Sequence, residues 1–292
     1  MSTFDTPQPI SVSTEFIVGD LMIVARDRED TVVEVRPADP SKEADVTAAE
    51  QTGVEYENGR LSIKAPKMWR RWTPSKGAGS IEVRVELPTG SQIRVSAGVS
   101  SMRCTGRLGG CILETGVGDI RVAEAGPVRL KTGAGDVEVD RAVGHTEIRS
   151  GSGTIEVGQI DGTAVIKNAN GDTWVGEATS DLRVSAGNGR ISVDHAESTL
   201  GIKTACGDVR IGDVARGSVV VHSGFGSVDV GVRAGVAAWL ELDTKFGRVD
   251  SDLDTAGPPE AGEETVEVHA RTSFGDITIR RATPVEAGAG GS

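Results

Sequence analysis

The sequence predicts an all-β fold, a β-solenoid built from coils of about 18 residues with longer, irregular coils toward the N-terminus. The first observation is a phrase, Gly-(Asp or polar)-apolar-X-apolar. It occurs as Gly118-Asp119-Ile120-Arg121-Val122, Gly135-Asp136-Val137-Glu138-Val139, Gly153-Thr154-Ile155-Glu156-Val157 and Gly171-Asp172-Thr173-Trp174-Val175. It continues from Gly189, Gly207, Gly226, Gly247 and Gly275, in steps of 17, 18, 18, 18, 18, 19, 21 and 28 residues. The second is strict alternation within the phrase: Ile120/Val122, Val137/Val139 and Val209/Ile211 sandwich Arg121, Glu138 and Arg210. Period two means that one face is buried and the other solvated. The third is composition. Gly is abundant at 39 of 292 residues and aromatics make up 3%, which suits a narrow aliphatic core.

Taken column by column, the repeat predicts each element of a coil. Five residues before the key glycine stands an apolar column, Val95, Leu113, Leu130, Ile148, Ile166, Val184, Ile202, Val221 and Leu242. Three before it stand small residues such as Thr115, Thr132, Ser150, Asn168 and Thr204, suited to a corner where they bond the adjacent backbone. Seven after it come Ala125, Ala142, Ile160, Ala178, Ala196 and Val214. Each coil is therefore two short strands joined by a glycine corner, with a second bend that adds a brief third side. The glycine takes backbone angles closed to other residues, and the aspartate after it reads as an Asx-turn residue.

The phrase also surfaces earlier, at Gly19-Asp20-Leu21, Asn58-Gly59-Arg60-Leu61 and Gly79-Ser80-Ile81. Residues 10–95 therefore read as irregular coils of the same system, interrupted by an acidic, Ala-rich insertion at 37–51 and a second insertion at 66–79. The reading is one solenoid domain over 10–281, a flexible lead at 1–9 and a disordered tail at 282–292. Phe225, Phe246 and Phe274 each precede a late key glycine and read as a hydrophobic cap near the C-terminal end.

The stretch Val85-Glu86-Leu87-Pro88-Thr89-Gly90-Ser91, followed by serial units of the form S-G-x-G-D-I-x-V, resembles the bacterial DUF4097 family, labelled "putative adhesin". The resemblance covers roughly residues 10–281 and implies a β-strand repeat solenoid with no catalytic residues to carry over. Its label implies a cell-surface location. The N-terminus shows neither a basic nor an apolar signal region, and no stretch approaches the ~20 apolar residues of a membrane span, so the location expected from the residues is cytoplasmic.

Chemistry is sparse. Lys and Arg number 31 against 43 Asp and Glu, a formal net charge of -12, so broad nucleic-acid binding is not expected. The aspartates after the glycines occur once per coil and are interrupted by Arg190, too few oxygens for the six to eight that calcium takes. No nucleophile elbow, zinc-helix motif or phosphate loop is present. His145, His195, His222 and His269 lie in different coils and read as surface residues. Of the three cysteines, Cys104 and Cys206 occupy repeat positions held elsewhere by apolar residues and are expected to be buried. No enzyme activity, cofactor or metal is expected.

Two features stand above this background. An outward column four before the glycine reads Lys131, Arg149, Lys167, Lys203, His222 and Arg271. Like charges stacked in register repel, so a basic stripe on an acidic chain suggests an anionic polymer, a lipid head group or an acidic protein as partner, against the plainer reading of balance by neighbouring acids. The other is Trp69-Arg70-Arg71-Trp72, whose residue types suit a binding hot spot, a membrane surface or a loop folded over the solenoid flank. The expected function is a non-catalytic scaffold that binds a partner through its sheet faces or loops. Alternatives are a self-assembling filament or homo-oligomer and, less favoured, a carbohydrate-acting enzyme on a β-helical frame.

Overall fold

Alternating Val, Ile and Leu separated by glycine corners give short parallel strands that stack rung on rung. The computed structural model describes residues 1–65, 79–253 and 264–282. The chain divides into two compact units, residues 1–157 and 158–292; the single-domain reading of 10–281 drew no boundary there.

The first unit contains β1 (Ser2–Asp5), β2 (Ser11–Arg26), β3 (Asp30–Pro37), α1 (Glu43–Glu50), β4 (Gly53–Glu57), β5 (Arg60–Lys64), β6 (Ile81–Pro88), β7 (Gln92–Val99), β8 (Met102–Leu108), β9 (Gly110–Val117), β10 (Ile120–Ala125), β11 (Val128–Ala134), β12 (Val137–Val143) and β13 (Thr146–Ser150). Strands before a key glycine form one sheet, B, and strands after it form another, A. In sheet B, β7, β9, β11 and β13 pair in parallel, with Val95, Leu113, Leu130 and Ile148 in one line. In sheet A, β8, β10 and β12 do the same, aligning Met102, Ile120 and Val137. These inward side chains are at most 2% exposed. At about 25 cal/mol per Å² of apolar surface, such burial drives the stacking. β10 and β12 each bury positions two, four and seven after the glycine, so alternation slips where the strand bends and gives the short third side.

Local polar groups lock the rungs. The Thr132 hydroxyl donates to the carbonyl of Gly118 on the neighbouring rung at 3.1 Å. The aspartate after the glycine acts between rungs rather than within its own turn. The Asp119 carboxylate accepts the Asp136 amide at 2.9 Å, and the Asp136 carboxylate accepts the Thr154 amide at 2.7 Å.

Rung order departs from chain order at the start. The 16-residue strand β2 bends through Gly19 and supplies a whole rung by itself. It lies between β5 and β7 in sheet B and between β6 and β8 in sheet A. The rung of β5 and β6 is thus outermost although it follows β2 in sequence. Antiparallel strands finish this end: β3 on β6, β1 on β3 and β4 on β5. Residues 2–5, expected as part of a flexible lead, form β1.

Two early matches to the phrase have a different meaning here. Asn58 and Gly59 have φ of 51° and 75° and form the two-residue turn of the β4–β5 hairpin, not a solenoid corner. At Gly79 the phrase runs two residues out of frame, because Ile81, not Gly79, lies opposite Gly19. The insertion at 37–51 contains α1, held by Asp45, whose carboxylate accepts the amides of Asp39 (3.1 Å) and Ser80 (2.9 Å).

The strand β14 (Ile155–Asp161) follows. The second unit then holds β15 (Ala164–Asn170), β16 (Thr173–Ala178), β17 (Leu182–Asn188), β18 (Ile191–Ala196), β19 (Leu200–Cys206), β20 (Val209–Val214), β21 (Gly217–Phe225), β22 (Val228–Val232), β23 (Ala237–Phe246), β24 (Val249–Ser251), β25 (Thr265–Phe274) and β26 (Ile277–Arg281). Sheet B runs β15-β17-β19-β21 in parallel register, and sheet A runs β16-β18-β20-β22. Rung order departs from chain order again at the end. β25 and β26 pair with β21 and β22 on one side and with β23 and β24 on the other. The last strands in sequence are therefore penultimate in space.

Candidate functional site

The column four before the key glycine exists in both units, with different surroundings. In the first unit, Lys131 lies between Glu114 and Arg149 in register. Glu147 pairs with Arg129 at 3.0 Å and also with Arg149. Here the charges are balanced by neighbouring acids, the plainer of the two sequence readings.

In the second unit the column runs Lys167, Ser185, Lys203, His222, Arg271 and Asp243 across β15, β17, β19, β21, β25 and β23. Arg271 pairs with Asp243 at 3.1 Å. Lys167 and Lys203 have no ion pair among the described residues. Their neighbours on the outer face are Val165, Ala169, Arg183, Gly187, Gly201, Ala205, Val220 and Gly224. No carboxylate occupies an outward position on β15, β17, β19 or β21. Glycine at 201 leaves room for the Arg183 stem, whose Cγ lies 3.7 Å from where a β-carbon would stand. Lys167, Arg183 and Lys203, with His222 beside them, thus form an exposed basic strip on a low floor of small residues. Arg183 stands one pleat to the side of the lysine column, opposite Val165 and Gly201, and the missing side chain at Gly201 leaves space beside its stem.

Trp69, Arg70, Arg71 and Trp72 lie outside the described residues. A feature the sequence reading missed is a groove of about 630 Å³ on the outer face of sheet A in the first unit. Arg84, Met22, Arg103 and Arg121 line up across β6, β2, β8 and β10. Only the displaced rung order of β2 makes these four neighbours, so linear spacing carried no signal. The groove is mixed in charge: Arg84 pairs with Glu86 at 2.9 Å, Arg121 with Glu138 at 3.2 Å, and Asp20 and Glu82 lie alongside. The Arg84 and Arg28 guanidiniums hold the Glu86 carboxyl below the usual carboxylate range.

Near the second bend of the second unit, His195 Nδ1 lies 3.3 Å from Asp213 Oδ2. The same carboxylate oxygen accepts Arg233 Nε at 2.9 Å and raises the pKa of that guanidinium. Among the described residues no hydroxyl or thiol is hydrogen-bonded to His195. Among the described residues no three His, Cys, Asp or Glu side chains converge as metal ligands. No helix among them is long and apolar enough to cross a membrane.

Two late features differ from the sequence reading. Cys206 is exposed. It stands one residue before the key glycine, in line with Asn188 and Phe225, and that column faces outward at the corner. Phe225, Phe274 and Phe246 occupy the same column and stack at 4.8 and 4.7 Å. They are 54%, 43% and 65% exposed, an external ladder rather than a cap over the core.

The architecture defines a parallel β-solenoid whose notable surface chemistry lies on flat sheet faces. The chain belongs to the Toastrack DUF4097 family, whose model matches residues 10–280. Among solved structures it is similar to a protein of Bacteroides fragilis described as "a putative adhesin", at 10% identity over 95% of each chain with a TM-score of 0.36. It is similar to "a putative cell adhesion protein" of Clostridium sporogenes, at 12% identity over 96% of this chain and 98% of that one, TM-score 0.27. A "putative lipid binding protein" of Parabacteroides distasonis is similar at 10% identity over 97% and 96%, TM-score 0.30. No curated protein matches the chain.

Proposed function

We propose that this protein is a non-catalytic interaction module that binds an anionic polymer along the outer face of β15, β17, β19 and β21. The observation that carries this reading is the acid-free strip of Lys167, Arg183, Lys203 and His222 on a chain of net charge -12. Successive rungs are about 4.8 Å apart, so Lys167 and Lys203, two rungs apart, stand about 10 Å from each other. That spacing, with Arg183 on the intervening strand one pleat to the side, suits an extended partner whose negative charges repeat along its length. The low floor left by Gly187, Gly201, Ala205 and Gly224 lets such a chain lie flat against the sheet. Opposite charge brings it there and makes the association salt-dependent.

The test is fluorescence anisotropy with labelled polyphosphate and labelled poly-glutamate at low salt, comparing the natural chain with Lys167→Glu/Lys203→Glu. The expected result is a loss of about tenfold or more in affinity for at least one probe. A control, Lys131→Glu/Arg149→Glu, alters the acid-balanced part of the column and should cost much less. Equal binding by the natural chain and the Lys167/Lys203 variant removes the proposal.

A further inference from the structure

The outer edge of the second unit is a strand whose second side is unpaired among the described residues. β23 pairs only with β25, and β24 only with β26. The apolar side chains along this edge are uncovered. Trp239 is 71%, Phe246 65% and Val249 43% exposed. Leu242 is half-buried, although Val221 in the same column is 0% exposed.

The direction of the free backbone groups follows from the ladder. The Gly275 amide donates to the Phe246 carbonyl at 3.0 Å, and the Gly226 amide donates to the Phe274 carbonyl at 2.8 Å. Alternate residues of a strand bond to opposite sides. Phe246, Thr244 and Leu242 therefore turn their backbone toward β25, while Lys245, Asp243 and Glu241 turn theirs to the open side. A free edge of this kind is a template for another strand.

We infer that a second copy of this chain pairs antiparallel along β23, with the twofold axis at Thr244. The charges select that register. Centred on Thr244, Asp243 of each copy faces Lys245 of the other, and Leu242 faces Phe246. Centred on Asp243, Glu241 of each copy faces Lys245 of the other but the two aspartates face each other at the axis; centred on Leu242, Glu241 faces Asp243 twice; only the Thr244 register has opposite charges without a like-charge pair. Like charges directly opposite across a strand pair are destabilising. Lys245 has no ion pair among the described residues and is free to take the role. Because both copies use the same edge, the assembly closes at two rather than growing into a filament. The occupant is thus distinct from the anionic partner of the strip on the outer sheet face.

The full chain, measured by light scattering after size exclusion over a dilution series, should pass from dimer to monomer. Asp243→Lys sets Lys against Lys, and Lys245→Asp sets Asp against Asp, so each variant alone should dimerise at least about tenfold more weakly. Mixing the two variants restores opposite charges at both pairs and should restore the dimer as a heterodimer, with circular dichroism confirming that each variant is folded. Hydrogen exchange should show the amides of Glu241, Asp243 and Lys245, which point to the open side, protected at high concentration and labile on dilution. The inference is overturned if the natural chain stays monomeric, if both variants dimerise as it does, or if mixing restores nothing. It is equally overturned if those amides are protected at every concentration, which would mean the edge is covered within one chain.

Discussion

The carbonyl oxygen of Gly118 lies 2.2 Å from the point where a β-carbon on Gly135 would stand. The two glycines are corners of successive rungs, and Gly135 has φ of 143°. A side chain there meets backbone, not a flexible neighbour, and also demands a left-handed conformation. Gly135→Ala should destabilise the first unit by about 3 kcal/mol or more, from backbone strain plus displacement of the adjoining rung. Gly110→Ala is the matched control: its nearest contact would be 3.7 Å away, and the change should stay within about 1 kcal/mol. Urea unfolding of both variants checks the contrast, and equal midpoints would contradict it.

The corner glycine was legible because its cause is local and repeats every rung. So were the inward columns, since period-two alternation maps directly to a buried face. What failed to show was rung order. Nothing in the spacing of Gly19 or Gly275 says that β2 and β25 slide between rungs formed elsewhere in the chain, because strand pairing is non-local and every rung offers the same register. The groove of Arg84, Met22, Arg103 and Arg121 and the open edge at β23 both follow from that order, and both were hidden for that reason. Asn58-Gly59 misled because one dipeptide serves a hairpin turn as well as a solenoid corner. Cys206 misled because a residue one before the glycine turns outward, a change of direction that a strict two-residue alternation does not record.

The three thiols should separate by reactivity. Cys104 and Cys111 are 1% and 0% exposed, whereas Cys206 is exposed. The neighbouring Cys104 thiol and burial hold the Cys111 thiol well above the ordinary range, so little thiolate forms there near neutral pH. A thiol reagent should titrate one group in the folded chain and three after denaturation. Cys206→Ser should abolish the fast reaction. Rapid labelling of two or more thiols in the folded state would contradict the buried placement.

Acid should loosen the antiparallel end of the first unit in a definite order. Arg28 joins Asp30 at 2.9 Å and Glu86 at 2.5 Å, tying the start of β3 to β6. The Arg28 guanidinium lowers the Asp30 carboxyl, and Arg84 and then Arg28 lower that of Glu86. A carboxylate whose folded pKa is depressed adds stability that is complete above its unfolded pKa, about 4. That stability is lost as pH falls through the lower folded value. Amides of β3 should therefore stay protected through the ordinary carboxylate range and exchange only in stronger acid. Arg28→Ala should move the onset to higher pH, by a modest amount because Asp30 is 43% exposed and solvent screens the pair. An onset that does not move would assign the acid response to other groups.

Thr146 invites a stabilising change. It is 0% exposed, and its Oγ1 has no hydrogen-bond partner among the described residues. On one side it faces Val128 on β11, and the same column carries Cys111 on β9, so apolar groups supply its neighbours along the rung stack. A buried hydroxyl without a partner has given up water for nothing in return, a loss of about 1–3 kcal/mol. Valine has nearly the same shape, shares the β-branched preference for strands and carries no group to desolvate. Thr146→Val should therefore raise stability by about 1 kcal/mol, read as a higher urea midpoint with an unchanged slope. Thr132→Val makes the opposite case. Its hydroxyl donates to the Gly118 carbonyl at 3.1 Å, so the same substitution there removes a bond between rungs and should lower the midpoint. If both variants shift in one direction, hydroxyl satisfaction is not what distinguishes these two core positions.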